Sequence, residues 1–110
     1  FPKSAVGDLA QRLDVNKGEV LQLIGMTSST FSRKKGRLNE QASERILMLQ
    51  ELVEEGIAAF AGEAVAFRSW LRTPNVLLGN HTPLEACRFA IGILEVRRLL
   101  ARIRTADYIA

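Results

Sequence analysis

The sequence predicts an all-α fold built from two successive helical parts. Apolar residues recur three and four positions apart along nearly the whole chain, which is the period of an amphipathic helix. No stretch shows the strict apolar–polar alternation of a half-buried strand, and no internal repeat is present. With 110 residues, 47% of them hydrophobic, and only three prolines, the chain can hold long helices around a small core.

Three short helices are predicted in the N-terminal third of the chain. Asn16 caps the second helix, because an Asn side chain can accept a hydrogen bond from a free backbone N–H at a helix start. Gly25 ends that helix, since glycine adopts the left-handed conformation at a helix end without strain. Thr27 or Ser28 caps the third helix, which stops at Gly36.

Longer helices follow. The fourth is predicted from its cap, Asn39, to Phe60, and it carries most of the acidic side chains opposite its apolar face. The fifth covers residues 61–72, with Trp70 facing inward. The last runs from about Ile91 to Ile103, and its polar side is rich in arginine. This order places a long helix between the two parts of the molecule.

A segment with two prolines, WLRTPNVLLGNHTPLEA, interrupts the helical pattern. Thr82 is predicted to cap a short helix with Pro83 at its first position, where proline costs no hydrogen bond. Pro74 and Pro83 also restrict the backbone on both sides of the loop. We therefore expect a compact loop that orients the last helix. Two leucines are predicted to anchor this loop to the core: Leu77 and Leu78.

The net charge of +3 is unevenly distributed. Residues 1–40 carry +3, residues 41–66 carry −4 and residues 67–110 carry +4. A basic excess at both ends permits nucleic-acid binding without requiring it. No apolar run reaches the ~18–20 residues that a membrane span needs, so no membrane partner is expected.

The single cysteine, Cys87, excludes a disulfide within the chain and favours a reducing compartment, so we expect a cytoplasmic protein. Its predicted role is that of a small buried residue. No Cys–His, Ser–His or paired-carboxylate arrangement, glycine-rich phosphate loop or metal-ligand cluster occurs at useful spacing. The sequence therefore predicts no catalytic residue, no metal site, no cofactor and no enzymatic activity.

The run VLQLIGMTSSTFSRKKGRL has the layout of a helix-turn-helix, with a glycine turn between two short helices. The outward side chains of the second helix are predicted to reach base edges or phosphates, and Lys35 and Arg37 to touch phosphate. The alternative is a helical bundle that ends in a solvated basic loop, and Leu21 favours it, because helix-turn-helix units usually carry a small residue there. The predicted DNA-contacting residues of the second helix are Ser28, Ser29, Thr30, Ser32, Arg33 and Lys34.

Residues 67–103 resemble the C-terminal toxin-binding domain of the Xre/MbcA/ParS antitoxin family. Residues 30–49 are similar to the Xre-like helix-turn-helix of that family and the helix after it. The resemblance implies an Xre-like helix-turn-helix part, residues 1–60, followed by a helical toxin-binding domain, residues 61–110. The matching elements of the second domain are Trp70-Leu71, Pro74-Asn75, Leu78-Gly79, Thr82-Pro83-Leu84-Glu85, Gly92, Val96, Leu99-Leu100 and Arg102-Ile103.

The resemblance implies an antitoxin of a bacterial type II toxin–antitoxin pair. Its partner would be a RES-domain toxin that consumes NAD, and the C-terminal helix and tail would block the active site of that toxin. The N-terminal part would form a homodimer within a hetero-oligomeric complex and repress its own operon by binding operator DNA. The residues then expected to meet the toxin are Arg98, Arg102, Arg104, Asp107, Tyr108 and Ile109.

Two other functions are compatible with the same residues. A stand-alone helix-turn-helix transcriptional regulator would need only the N-terminal part. A pure interaction protein would carry the same basic patches without meeting DNA. Arginines on one side of a helix are also common as a solvated face, especially near a helix C-terminus, so the residues alone leave these alternatives open.

Overall fold

The computed structural model describes residues 1–33 and 35–106, and over these two ranges it contains helices and no β-strand. The all-α prediction is confirmed. Seven α-helices lie in the described ranges, with a 3₁₀ helix, Val76–Leu78, between the fifth and the sixth. The α-helices are α1 (Ser4–Leu13), α2 (Lys17–Leu23), α3 (Ser28–Arg33), α4 (Glu40–Ala59), α5 (Ala64–Leu71), α6 (Pro83–Ala86) and α7 (Ala90–Ala106).

The chain divides into two compact units within α4, the first covering Phe1–Gln50 and the second beginning at Glu51. This boundary in packing lies earlier in the chain than the predicted boundary between the two functional domains, which is at residue 60. The functional division at residue 60 stays a prediction, because a boundary in packing does not by itself locate a boundary in function.

Side-chain caps start the helices of the first unit where the sequence placed them. The side-chain oxygen of Asn16 accepts from the backbone N–H of Glu19 at 2.8 Å. The Thr27 hydroxyl accepts from the backbone N–H of Thr30 at 3.1 Å, so Thr27 and not Ser28 caps α3. Asn39 caps α4 in the same way. These contacts satisfy backbone N–H groups that lack partners within the helix.

The end of α2 is a glycine-dependent turn. Gly25 has a φ of 72°, the left-handed region predicted for it. The backbone N–H of Met26 donates to the carbonyl of Leu21 at 2.9 Å, and that of Gly25 donates to Gln22 at 3.2 Å. This pair of bonds is the Schellman arrangement, which closes a helix and sends the chain sharply away. It sets the turn between α2 and α3.

An arginine that the sequence pattern did not single out also closes α2. The Arg45 guanidinium, on α4, donates to the backbone carbonyl of Leu23 at 3.0 Å. The last carbonyls of a helix lack intrahelical partners and carry partial negative charge, so a cation is favourable there. Arg45 thereby ties α4 to the first helix of the predicted helix-turn-helix.

The second unit holds an aromatic cluster. Phe67 is fully buried, and its ring centroid lies 6.2 Å from that of Phe60. The ring centroid of Trp70 lies 6.0 Å from that of Phe60. Trp70 is only half-buried, so its side chain faces inward only in part. Helix α5 begins at Ala64, later than predicted, because residues 61 and 62 turn with positive φ.

The segment before α6 is a compact loop, as predicted. The backbone N–H of Asn75 donates to the carbonyl of His81 at 3.0 Å, and that of Asn80 donates back to Asn75 at 3.0 Å. The Asn75 side chain accepts from the backbone N–H of Leu77 at 2.9 Å. The loop is thus closed by its own hydrogen bonds, with Gly79 in the left-handed region at its turn.

The prediction that two leucines anchor this loop to the core is wrong for Leu77. Its side chain is 63% exposed, whereas Leu78 is half-buried. Backbone hydrogen bonds and the Asn75 side chain hold the loop, so no apolar anchor is needed at Leu77. The result is a leucine that a closed loop presents to solvent.

A complete capping box starts α6. The Thr82 hydroxyl accepts from the backbone N–H of Glu85 at 3.0 Å, and the Glu85 carboxylate accepts from the backbone N–H of Thr82 at 2.9 Å. The bond from the Thr82 backbone is the main cause that lowers the pKa of Glu85 below its ordinary value. The box is therefore formed at neutral pH and is lost as the pH falls through that lowered pKa.

Helices α6 and α7 meet at a glycine. A Cβ added at Gly92 would overlap the backbone carbonyl of Ala86. Cys87 follows the last residue of α6 and is buried, as predicted. Helix α7 is longer than the predicted range, since it begins at Ala90 and continues to Ala106.

Candidate functional site

Two surfaces carry the predicted site residues, one in each unit. In the first unit, the side chains on and after α3 are predominantly exposed. The exposed members of the predicted DNA-contacting set are Ser28, Ser29, Ser32, Arg33, Lys35 and Arg37. Lys34 lies outside the described residues. Short hydroxyls and long cations exposed on one short helix are the groups that reach base edges and phosphates in a major groove.

Thr30 differs from its neighbours. It is half-buried, and its hydroxyl oxygen accepts a hydrogen bond from the Thr27 hydroxyl at 2.9 Å. The side chain is therefore engaged in the cap of α3. Its assignment as a DNA contact stays a prediction, but the structure gives it a clear role at the helix start.

The segment that carries the last two cations of this surface is held in place by the N-terminal residues. The backbone N–H of Lys3 donates to the carbonyl of Gly36 at 3.1 Å, and that of Leu38 donates to Phe1 at 3.0 Å. The Lys3 ammonium lies 4.4 Å from the centroid of the Phe31 ring. Arg37 thus stands on a hydrogen-bonded segment beside α3.

In the second unit, Arg97 forms a fork with two carboxylates of α4. Its Nε lies 3.0 Å from both carboxylate oxygens of Glu55, its Nη2 lies 2.6 Å from Oε1 of Glu55, and the same nitrogen lies 3.3 Å from Glu51. The hydrogen bonds to Glu55 are the main cause that raises the pKa of Arg97 above its ordinary value. The arginine ties α7 to α4 and is not part of a solvated face.

We expect Arg97→Ala to lower the free energy of unfolding by about 1 kcal/mol, because a bidentate pair lies at the upper end of partly exposed ion pairs. Arg97→Lys should recover only part of this loss, since an ammonium cannot bind both oxygens of Glu55 in the same fork. Urea unfolding followed by circular dichroism measures both values. High salt should reduce the difference between the wild type and Arg97→Ala; an unchanged difference would contradict an electrostatic origin.

The predicted toxin-facing arginines do not form one cluster. Arg98 and Arg102 are exposed, one turn apart on α7, and line the same groove together with Leu77 and Leu78. Arg104 is also exposed, but it follows Arg102 by two residues and therefore points to another side of the helix. The other predicted members, Asp107, Tyr108 and Ile109, lie outside the described residues.

The described residues contain no group of three or more His, Cys, Asp or Glu side chains that could hold a metal ion. Over the same two ranges, no charged side chain is fully buried. No helix among them is long and apolar enough to cross a membrane. The exposed arginines and apolar residues are therefore the features on which a function can be argued.

The family follows from two matches that together span nearly the whole chain. Residues 50–105 match the model of the antitoxin Xre/MbcA/ParS C-terminal toxin-binding domain. The chain belongs to the Xre/MbcA/ParS antitoxin family. Residues 1–51 match the antitoxin Xre-like helix-turn-helix domain, so the predicted resemblance is confirmed for both parts of this antitoxin-family chain.

A curated relative is similar over most of the chain. It is the protein named antitoxin Xre from Yersinia enterocolitica serotype O:8 / biotype 1B, and it is 28% identical over 92 residues. The match covers 81% of this family member and 62% of the relative. The chain therefore spans about three-fifths of the length of that relative.

A solved structure has the same fold. The crystal structure of the M. tuberculosis MbcT–MbcA toxin–antitoxin complex contains a chain that superposes with a TM-score of 0.67 at 20% identity. The match covers 94% of this family member and 94% of the other chain. At this identity, the likeness establishes the arrangement of helices and no more.

Proposed function

We propose that this chain is the antitoxin of a type II toxin–antitoxin pair and neutralises a RES-domain toxin that consumes NAD. The C-terminal part of α7 and the tail that follows it obstruct the active site of the toxin. The helix-turn-helix represses the operon as a homodimer. The protein itself performs no catalysis and acts in the cytoplasm.

The observation that carries this proposal is the position of the exposed arginines within the toxin-binding domain of the family. Arg98 and Arg102 lie inside the matched residues 50–105, and both are exposed, one turn apart on α7. A site that binds the pyrophosphate of NAD is expected to combine anion-binding groups with carboxylates. Arginines engage carboxylates through paired hydrogen bonds, and an acidic tail residue such as Asp107 would meet the anion-binding groups.

The proposal predicts that binding and neutralisation can be separated. A chain that ends at Ala106 keeps the whole of α7 and lacks Asp107–Ala110. We expect it to bind the RES-domain protein encoded beside its own gene but to fail to protect cells. The measurement is growth and cellular NAD during co-expression, with binding followed by co-purification.

A full-length variant controls for the length of the chain. Asp107→Asn combined with Tyr108→Ala and Ile109→Ala removes the charge and the apolar side chains and keeps every backbone atom of the tail. If this variant behaves like the shortened chain, the side chains carry the block. If the chain ending at Ala106 protects cells fully, the helices are sufficient to neutralise the toxin. This result would contradict the role proposed for the tail.

The alternative is a stand-alone helix-turn-helix regulator, which the exposed hydroxyls and cations of α3 also favour. It predicts no RES-domain reading frame beside the gene and no effect of this chain on NAD in any co-expression. Loss of growth protection in the wild type, with promoter binding intact, would bring this alternative forward.

A further inference from the structure

A groove runs along one side of α7, and we call it the loop–α7 groove. It consists of two adjoining recesses of about 420 and 460 Å³. Both recesses are lined by Leu77, Leu78 and Glu95, so they form one continuous feature. The compact loop of residues 73–82 forms one wall, together with residues of α6 and of the segment after it in the first recess, and α7 forms the other.

The wall of the groove that α7 forms follows the helical period. Gly92, Glu95, Leu99 and Arg102 are spaced three, four and three residues apart, so they form one stripe along α7. The ten steps from Gly92 to Arg102, at a rise of 1.5 Å each, give the stripe a length of about 15 Å, or nearly three helical turns. A stripe of this length matches two to three turns of a partner helix, and helices that lie in grooves are a common mode of recognition.

One end of the groove, which we call the apolar end, exposes three large apolar side chains in a recess that His81, Glu85 and Arg88 also line. Phe89 is 68% exposed and Ile91 60% exposed, and both line the recess with Leu77. Leu77 is held outward by a closed loop, so little conformational freedom is lost when a partner covers it. Several large apolar side chains exposed in one recess are typical of an interaction surface.

The other end is cationic. Arg98 and Arg102 line the second recess one turn apart, with Leu99 between them and Glu95 at the junction of the two recesses. Two arginines at this spacing complement two carboxylates that are also one turn apart on a facing helix. The exposed apolar side chains therefore lie at one end of the groove and the pair of arginines at the other.

We propose that the loop–α7 groove receives an amphipathic helix of the toxin, with apolar residues against Leu77 and Phe89 and with Asp or Glu side chains facing Arg98 and Arg102. This inference rests on the proposed function and deepens it. The groove supplies the affinity, and the tail supplies the block. Every groove residue lies within the matched toxin-binding domain, residues 50–105, which favours the toxin over a second copy of this chain as the occupant.

The test measures the affinity of the full chain for the adjacent RES-domain protein, inactivated in its own active site, by isothermal titration calorimetry. Leu77→Asp places a charge in the apolar end. Arg98→Glu combined with Arg102→Glu reverses the cationic end. The matched control is Val65→Asp, because Val65 is 71% exposed in the same unit and does not line either recess. Circular dichroism melts establish that each variant folds, and Leu77→Ser replaces Leu77→Asp if the latter does not.

We expect both groove variants to raise Kd by at least about tenfold, as removal of a central contact does, and Val65→Asp to leave it within about twofold. Binding by the wild type should weaken with added salt, and the double reversal should lose this dependence. Groove variants that bind as Val65→Asp does would overturn the docking proposal while leaving the antitoxin function in place. A wild type that does not bind at all would instead reject the proposed function.

A second copy of this chain is the competing occupant, and sedimentation of the antitoxin alone tests it. If Leu77→Asp converts a dimer to a monomer and leaves the affinity for the toxin unchanged, the groove is a self-association surface and the proposal is overturned. If the oligomeric state stays the same while the toxin affinity falls, the toxin is the occupant.

Discussion

Replacing Gly92 by alanine is expected to destabilise the second unit by about 2–3 kcal/mol, although alanine is the better helix former. The added Cβ would overlap the backbone carbonyl of Ala86, and backbone cannot move aside as the end of a flexible side chain can. Helix α7 must shift away from α6, which also deforms the loop–α7 groove. Urea unfolding followed by circular dichroism and by the fluorescence of the single tryptophan, Trp70, measures the loss.

Gly7→Ala is the matched control for this substitution. Gly7 lies inside α1, and a Cβ there would meet only the end of the Lys17 side chain, at 3.3 Å. We expect the free energy of unfolding of this variant to be higher by about 0.5–1 kcal/mol, because alanine loses less backbone entropy than glycine when a helix forms. If Gly92→Ala is as stable as the wild type, then α6 and α7 are not as closely packed as the structure has them.

Replacing Arg33 by alanine is expected to weaken binding to the DNA upstream of the gene by about 1–3 kcal/mol, the cost of losing one bidentate base contact. Arg33 is the exposed cation at the end of α3, the helix that we propose to enter the major groove. A mobility-shift titration against the upstream DNA and against an unrelated duplex measures both affinity and specificity. The ratio between the two should fall in the variant.

Arg37→Ala separates base contacts from phosphate contacts. Arg37 is exposed on the segment after α3, so its proposed partner is a phosphate. We expect this variant to bind both duplexes more weakly by the same factor. The slope of log K against log salt should become less negative by about 0.9 for one lost phosphate contact. An Arg33→Ala variant that binds both duplexes as the wild type does would remove α3 from the DNA interface, and the bundle with a solvated loop would then be the better description.

Local signals predicted most of the helix starts correctly. Asn16, Asn39 and Thr82 each cap a helix through a contact three residues along the chain, and such a contact depends on the nearby sequence alone. Gly25 is a similar case, since its conformation follows from the missing side chain. The motifs that indicated the antitoxin family are local in the same sense, because each of them consists of residues close together in the chain.

These local signals did not predict interactions between residues that are far apart in the chain. Arg97 lies on the side of α7 that was predicted to be polar and rich in arginine, but it binds Glu55, 42 residues away. Two acids one turn apart on α4, Glu51 and Glu55, were the hint of a receiving site. The contact between Arg45 and the end of α2 was likewise missed. Helical periodicity describes one helix at a time and does not say which helix lies opposite a given polar residue.

By itself, the sequence determined the all-α class, the caps and turns, and membership of the antitoxin family, since each depends on short-range patterns. The tertiary structure alone decided which exposed groups share a surface. It left Leu77 outside the core and brought Arg98 and Arg102 into one groove with Leu77 and Leu78. The reason is that such a surface consists of side chains from separate elements. Whether those side chains lie close together depends on how the elements pack against each other, which the helical period of one element does not determine.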